Sequence, residues 1–174
     1  SRVDDAIRWF ERAIAAKPDY ARAHWNLSLV LLGNGDFGRG LDEFEWRFRD
    51  PSLQIPARQL PGPLWDGSDL NGHTILLHAE QGLGDILFFL RWAASLKSSG
   101  ARLTFSGDVR LHPMLQRTQL FDALDATPEA PPPPGVIEIL TADLPTIVDP
   151  ECPPSLHLAA DPALIDALRL VRLP

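Results

Sequence analysis

A short segment in the middle of the chain holds the residues best suited to chemistry. Residues 80–85 read Glu-Gln-Gly-Leu-Gly-Asp, and His78 stands just before them. A positioned carboxylate or imidazole can accept the proton of a hydroxyl nucleophile. The two glycines permit a positive φ and let the backbone approach a ligand closely. The segment therefore predicts a binding loop with a side chain that can act as general base.

Asp85 is the candidate general base, because its carboxylate stands where the loop meets the next helix. A structural interpretation stays open beside the chemical one. Asp85 can simply cap that helix, and His78 can be an inward-facing histidine whose hydrogen bonds are satisfied. The candidate binding residues around Asp85 are His78, Glu80, Gln81, Gly82 and Gly84.

The loop departs from the common nucleotide-binding motifs. The dinucleotide motif Gly-x-Gly-x-x-Gly fits at Gly82 and Gly84 but meets Leu87 at its third glycine. Asp85 would also place a negative charge where a pyrophosphate binds. A P-loop requires Gly-Lys-Ser/Thr, which the loop lacks. We therefore expect no bound cofactor.

The cysteine content argues against a metal site. Cys152 is the only cysteine, which excludes an internal disulfide framework and a zinc site built from several cysteines. The pair His78-x-Glu80 is typical of zinc deaminases, but their second motif needs two further cysteines. We expect no metal.

Charge and hydropathy limit the partners. The net charge of -7 arises from 23 acidic and 16 basic residues, and the acidic excess lies after Arg117. The chain offers no basic stripe for phosphates, so we expect no nucleic acid partner. Residues 86–90 form the longest apolar stretch in the middle of the chain, which is too short to span a bilayer. We expect no membrane span and a cytoplasmic location.

The loop lies between a predicted strand and a predicted helix. Residues 74–79 are apolar enough for a strand buried on both faces, and residues 86–99 follow with a helical period. A second strand at 103–106 completes a βαβ unit, which implies a parallel sheet with a right-handed crossover. A helix near 109–118 and a strand at 136–140 continue the pattern. The predicted class is α/β, with a Rossmann-like half-domain over residues 73–174.

Residues 1–50 repeat with an offset of 34, which places Phe10 on Phe44 and a small residue, Ala6, on Gly40. This length and pattern resemble the tetratricopeptide repeat family. The predicted helices cover residues 2–16, 21–33 and 36–49. Arg22 and Asn26 are candidates for binding a peptide partner on a concave face. The alternative is that the aromatic residues pack in a core or an interface; they are Trp9, Trp25, Phe44 and Trp46.

Residues 51–72 are rich in proline and glycine and predict a linker between the two parts. Trp65-Asp66-Gly67 in this linker, residues 80–85, and Arg91-Trp92 resemble bacterial tetratricopeptide proteins that carry a glycosyltransferase-like domain. That domain is similar to the GT-B O-linked N-acetylglucosamine transferases. Through Leu83-Gly84-Asp85 it is also similar to the lipopolysaccharide heptosyltransferases. The resemblance implies a GT-B half that faces a sugar acceptor, with Asp85 as the general base.

In GT-B enzymes a second half holds most of the nucleotide sugar, and 174 residues leave no room for it here. We therefore expect the acceptor-side portion of a glycosyltransferase-like protein, inactive by itself; whether a longer parent is an active enzyme stays open. The alternative is a non-catalytic scaffold that binds a protein or peptide through its repeat helices.

Overall fold

A computed structural model describes residues 2–53, 65, 68–80, 82–125, 132–148, 153–163 and 165. The chain divides into two compact units. The first comprises Ser1–Pro61 with Pro145–Cys152, and the second comprises Gly62–Leu144 with Pro153–Pro174. The domain boundaries at 50 and 72 stay a prediction, since most of the predicted linker lies outside the described residues. Gln81 and Cys152 lie outside them as well.

The first unit begins with the helices α1 at Arg2–Ala16, α2 at Ala21–Gly33 and α3 at Phe37–Phe44. Beyond α3 the chain continues in 3₁₀ turns at Glu45–Arg49 and Pro51–Leu53, so the α-helix predicted for 36–49 is shorter than expected. Gly35 takes a φ of 84° in the turn before α3, a conformation that glycine adopts without strain. Asp36 then caps α3 by accepting a hydrogen bond from the Arg39 amide at 3.4 Å.

Helices α2 and α3 approach each other closely at Gly40. A methyl group built at Gly40 would lie 2.8 Å from Leu32 Cδ2 and 3.1 Å from the Leu32 backbone nitrogen. Gly40 is itself buried, as expected for a small residue that lets two helices meet. The apolar side chains buried around this contact are Ala23, Leu27, Leu31, Leu41 and Phe44.

The second unit is built on a four-stranded sheet in the order β3-β2-β1-β4. The strands are β1 at Thr74–His78, β2 at Arg102–Ser106, β3 at Ala123–Asp125 and β4 at Val136–Leu140. Every pairing is parallel, which confirms the predicted α/β class with a parallel sheet. The register aligns His78 with Ser106 on one side and with Leu140 on the other.

The helices of the second unit are short. After β1 come α4 at Leu83–Phe89, a 3₁₀ turn at Leu90–Trp92 and α5 at Ala93–Ser98. The predicted helix over 86–99 was therefore wrong in its start, because Leu83-Gly84-Asp85 forms the first turn of α4 rather than the end of a loop. Between β2 and β3 lies α6 at His112–Arg117. After β4 the chain enters α7 at Leu144–Ile147, of which all but Leu144 belongs to the first unit.

The two faces of the sheet differ in chemistry, because successive side chains of a strand point to opposite faces. The helical side is apolar: the Phe105 ring contacts the rings of His112 and Phe121. Right-handed crossovers place α4, α5 and α6 on this same side. The apolar face consists of Ile75, Leu77, Leu103, Phe105, Ile137 and Ile139. The opposite face, here called the polar face, carries Leu76, His78, Thr104, Ser106, Glu138 and Leu140.

The segment after Pro153 is held to the second unit by two arginines. Arg91 donates from Nη2 to the Pro153 carbonyl at 2.6 Å, and Arg117 donates from Nε to the Ala159 carbonyl at 2.9 Å. None of the helices in the described ranges is both long and apolar enough to cross a membrane.

Candidate functional site

The strand order defines where a ligand can enter the sheet. From β1 the chain moves to β2 and β3 on one side, whereas β4 joins on the other side of β1. Ligands of open α/β sheets bind at the carboxyl ends of strands where the order reverses in this way. Helix α4 contacts the turn Thr141–Asp143 that follows β4. We call the carboxyl ends of β1 and β4, with the first turn of α4, the switch-point site.

The two glycines of the site differ in the space around them. Gly82 precedes α4 with a φ of -63°, and Gly84 is not among the residues with positive φ, so neither uses the positive φ that glycine permits. A methyl group at Gly82 would lie 3.2 Å from Asp85 Oδ2, but one at Gly84 would meet no atom within 4 Å. Gly82 therefore leaves room for the Asp85 carboxylate, and Gly84 is exposed without such a neighbour.

Asp85 lies exposed in the first turn of α4, where the helix dipole favours a negative charge. No described residue forms a hydrogen bond or an ion pair with it. The Asp85 carboxylate thus does not cap the helix through a hydrogen bond, and its oxygens face solvent. Its role as general base stays a prediction.

His78 is the last residue of β1 and lies on the polar face. Its Nε2 is 2.8 Å from Oε2 of Glu138 on the neighbouring strand β4. The two side chains keep 18% and 6% of their surface exposed. The structure therefore supports a hydrogen-bonded histidine at this position, but the partner is a buried carboxylate that sequence reasoning missed.

Glu138 and Asp143 are the acidic residues that sequence reasoning did not place in the site. Glu138 is 7% exposed in the middle of β4, and Asp143 is 1% exposed just after it. A signal for Glu138 was present, because it is the one charged residue in the apolar strand Val-Ile-Glu-Ile-Leu. Glu80 is half-buried between β1 and α4. In the described part of the chain, no three metal-ligating side chains come together.

The candidate peptide-binding residues lie in the first unit, on α2. Arg22 donates from Nε to the Asp50 carboxylate, and Ser52 donates to the same carboxylate at 2.5 Å. These hydrogen bonds lower the pKa of Asp50 from 3.8 to about 2. Asn26 is half-buried on the same helix. Arg22 is thus held by an internal partner, and its role in binding a peptide stays a prediction.

The aromatic residues of the first unit divide into two groups. Trp25 lies against Phe44 with ring centroids 5.0 Å apart, and His24 stacks on Trp46 at 3.8 Å. Phe44 is buried and Trp25 and Trp46 are half-buried, so these three residues pack as the core or interface interpretation predicted. Trp9 is 66% exposed and is not packed in a core.

This chain is similar to part of a longer bacterial protein. The chain is 30% identical over 110 residues to the protein FlbA of Caulobacter vibrioides, an alignment that covers 62% of this chain. The chain matches only 18% of the length of that relative. No protein-family model matches.

Among solved structures, a mutant O-GlcNAc transferase of Thermobaculum terrenum aligns with this chain. The alignment covers 70% of this chain and 31% of the transferase chain. The identity is 15% and the TM-score 0.25, and a likeness of this size carries no functional argument.

Proposed function

We propose that this chain forms the acceptor side of a glycosyl-transfer site, joined to tetratricopeptide-type helices. The observation that carries the proposal is the chemistry of the switch-point site. Glu80 and Asp85 follow β1 and Asp143 follows β4, at the carboxyl edge of a parallel sheet. Asp85 is exposed and has no hydrogen-bond partner among the described residues. Such a site is suited to bind a hydroxyl group and remove its proton.

The charge of the site favours an acceptor over a nucleotide. Residues 78–86 and 138–143 include four acidic residues and no lysine or arginine. Carboxylates accept hydrogen bonds from hydroxyl groups but repel a diphosphate. A neutral hydroxyl compound, such as a sugar or a serine or threonine side chain, therefore fits this edge. We assign the nucleotide sugar to a second α/β unit outside these four strands.

The strand order and the helix packing support this proposal. The order β3-β2-β1-β4 equals the first four positions of the Rossmann order 3-2-1-4-5-6. The close approach of α2 and α3 at Gly40 supports a tetratricopeptide-type repeat. The resemblance of residues 80–85 to GT-B glycosyltransferases adds the substrate class. It also implies that Asp85 is the base.

The test compares the 174-residue chain with the product of the whole reading frame that contains it. We expect calorimetry to show that the chain alone does not bind UDP-N-acetylglucosamine more tightly than a Kd of about 1 mM. Sugar transfer, followed with radiolabelled donor, is expected only from the full gene product. Tight donor binding or transfer by the 174 residues alone would refute the assignment of the nucleotide sugar to a second α/β unit.

A second candidate function is protein binding through the first unit, here called the helical unit. One observation favours it. Large apolar side chains are exposed there: Trp9 at 66%, Leu29 at 47% and Tyr20 at 44%. Exposed apolar groups are typical of protein-binding surfaces when they lie together. Peptide-array binding that Arg22→Ala and Asn26→Ala abolish, and Asp85→Asn leaves intact, would favour this candidate.

A further inference from the structure

The polar face of the sheet holds a second group that can accept a proton. His78 and Glu138 come from neighbouring strands and meet through a hydrogen bond of 2.8 Å at the carboxyl end of β1. Burying a carboxylate is costly unless it is hydrogen-bonded. His78 is the one hydrogen-bond partner that the described residues offer Glu138. The pair therefore stabilises a buried carboxylate on the face opposite the helices α4 to α6.

The hydrogen bond fixes the proton on the His78 ring. An ionised carboxylate only accepts hydrogen bonds, so Nε2 must carry the proton that it donates to Glu138. The neutral ring then keeps its lone pair on Nδ1. No described residue is bonded to Nδ1, and the side chain keeps 18% of its surface exposed. An imidazole oriented by a carboxylate, with its second nitrogen unoccupied, is the arrangement of a general base.

Asp85 lacks both of these properties. Its carboxylate is exposed, and no hydrogen bond from the described chain orients it. A general base is more effective when it is held in position and partly removed from water. His78 meets both conditions, because a buried side chain holds its ring and most of its own surface is covered.

We propose that His78, oriented by Glu138, is the proton acceptor for a hydroxyl that enters the switch-point site, and that Asp85 helps to hold that hydroxyl. This rests on the proposed function. The hydroxyl proton moves to Nδ1, its oxygen forms a bond to the anomeric carbon, and the nucleotide diphosphate leaves with the electrons of the broken bond. Glu138 balances the positive charge of the imidazolium, which then returns its proton to water.

The ring itself supplies a test that does not depend on sugar transfer. Long-range ¹H–¹⁵N correlation spectra of the labelled 174-residue chain report which nitrogen of each histidine carries a proton. For His78, assigned by its loss in His78→Gln, we expect protonated Nε2 and unprotonated Nδ1 at pH 7.5. His24 is the internal control, because its two nitrogens face Glu43 and the Pro18 carbonyl at 2.5 and 3.0 Å. A proton on Nδ1 of His78, alone or with one on Nε2, would overturn the proposal.

Transfer by the full gene product supplies the second test. Loss of a general base lowers kcat by roughly 10²- to 10⁴-fold, and we expect this from His78→Gln with the fold intact by circular dichroism. Glu138→Gln should lower kcat less, because the amide oxygen can still accept from Nε2 but carries no charge. Asp85→Asn should chiefly raise the KM of the acceptor. His73→Gln is the matched control, an exposed histidine just before the opposite end of β1.

The outcomes separate the two claims. Wild-type transfer that survives His78→Gln would overturn the base assignment and leave the proposed function intact. A His78→Gln effect that is confined to thermal stability, with kcat unchanged, would reduce the pair to a structural role. If the wild-type product transfers no sugar, the proposed function fails, and the ring spectra still decide whether His78 has an unprotonated Nδ1.

Discussion

Two glycines of α3, Gly38 and Gly40, provide a matched test of how closely α2 and α3 pack. A methyl group at Gly38 would meet no atom within 4 Å, whereas one at Gly40 would lie 2.8 Å from Leu32 Cδ2. Ordinary carbon contacts are about 3.5–4.0 Å. Gly40→Ala must therefore displace the Leu32 side chain, and the Leu32 backbone nitrogen at 3.1 Å limits how far the helices can adjust.

The expected magnitudes follow from two opposing effects. Replacing glycine by alanine in a helix stabilises it by about 1 kcal/mol, and both substitutions share this gain. Overpacking costs about 1–3 kcal/mol, and only Gly40→Ala suffers it. Gly38→Ala should therefore stabilise the helical unit by about 1 kcal/mol. Gly40→Ala should be less stable than Gly38→Ala by about 1–3 kcal/mol.

Native-state hydrogen exchange of the α2 and α3 amides measures these differences within the helical unit itself. The comparison between the two variants cancels the shared helix propensity and leaves the packing cost. Equal protection of the amides in both variants would show that the helices do not meet closely at Gly40. The repeat-type interpretation of residues 1–50 would then lose its structural support.

Three further predictions concern single sites. Acid should weaken the helical unit: the pKa of Asp50 falls from 3.8 unfolded to about 2 folded, so its stabilising contribution is complete above pH 4 and is lost as the pH falls through 2. Asp50→Asn should remove that part of the acid sensitivity in circular dichroism titrations. Gly82→Ala should impair acceptor binding more than Gly84→Ala, because only the first added methyl group meets the Asp85 carboxylate; equal KM values would contradict this. Trp92→Ala should destabilise the second unit by about 3–5 kcal/mol in urea unfolding, since Trp92 is 0% exposed.

The strongest sequence patterns predicted the elements well. The apolar run after His73 predicted β1, and the helical period of residues 21–33 matches α2 at both ends. The order strand, helix, strand was sufficient to predict parallel pairing of β1 with β2, because such crossovers form in one geometry. These elements could be predicted because the hydrophobic pattern of neighbouring residues is sufficient to define them.

What sequence reasoning missed depends on contacts between distant residues or on short elements. Strand β3 has three residues, too few for a period. The start of α4 was misplaced because two glycines suggest a loop, yet Gly84 lies inside the helix. The bond between His78 and Glu138 joins residues 60 positions apart. Such a partner becomes visible only when the strand order places β4 beside β1.

The two-faced sheet divides the substitutions along β1 into separate classes. Side chains at Ile75 and Leu77 point into the apolar core, whereas Leu76 and His78 point to the polar face. Ile75, Leu76 and Leu77 are 0%, 6% and 0% exposed, so a residue-by-residue scan of this one strand should lose folding at these three positions and lose chemistry at His78. Substitutions within this one strand can thus distinguish a loss of stability from a loss of function at the site.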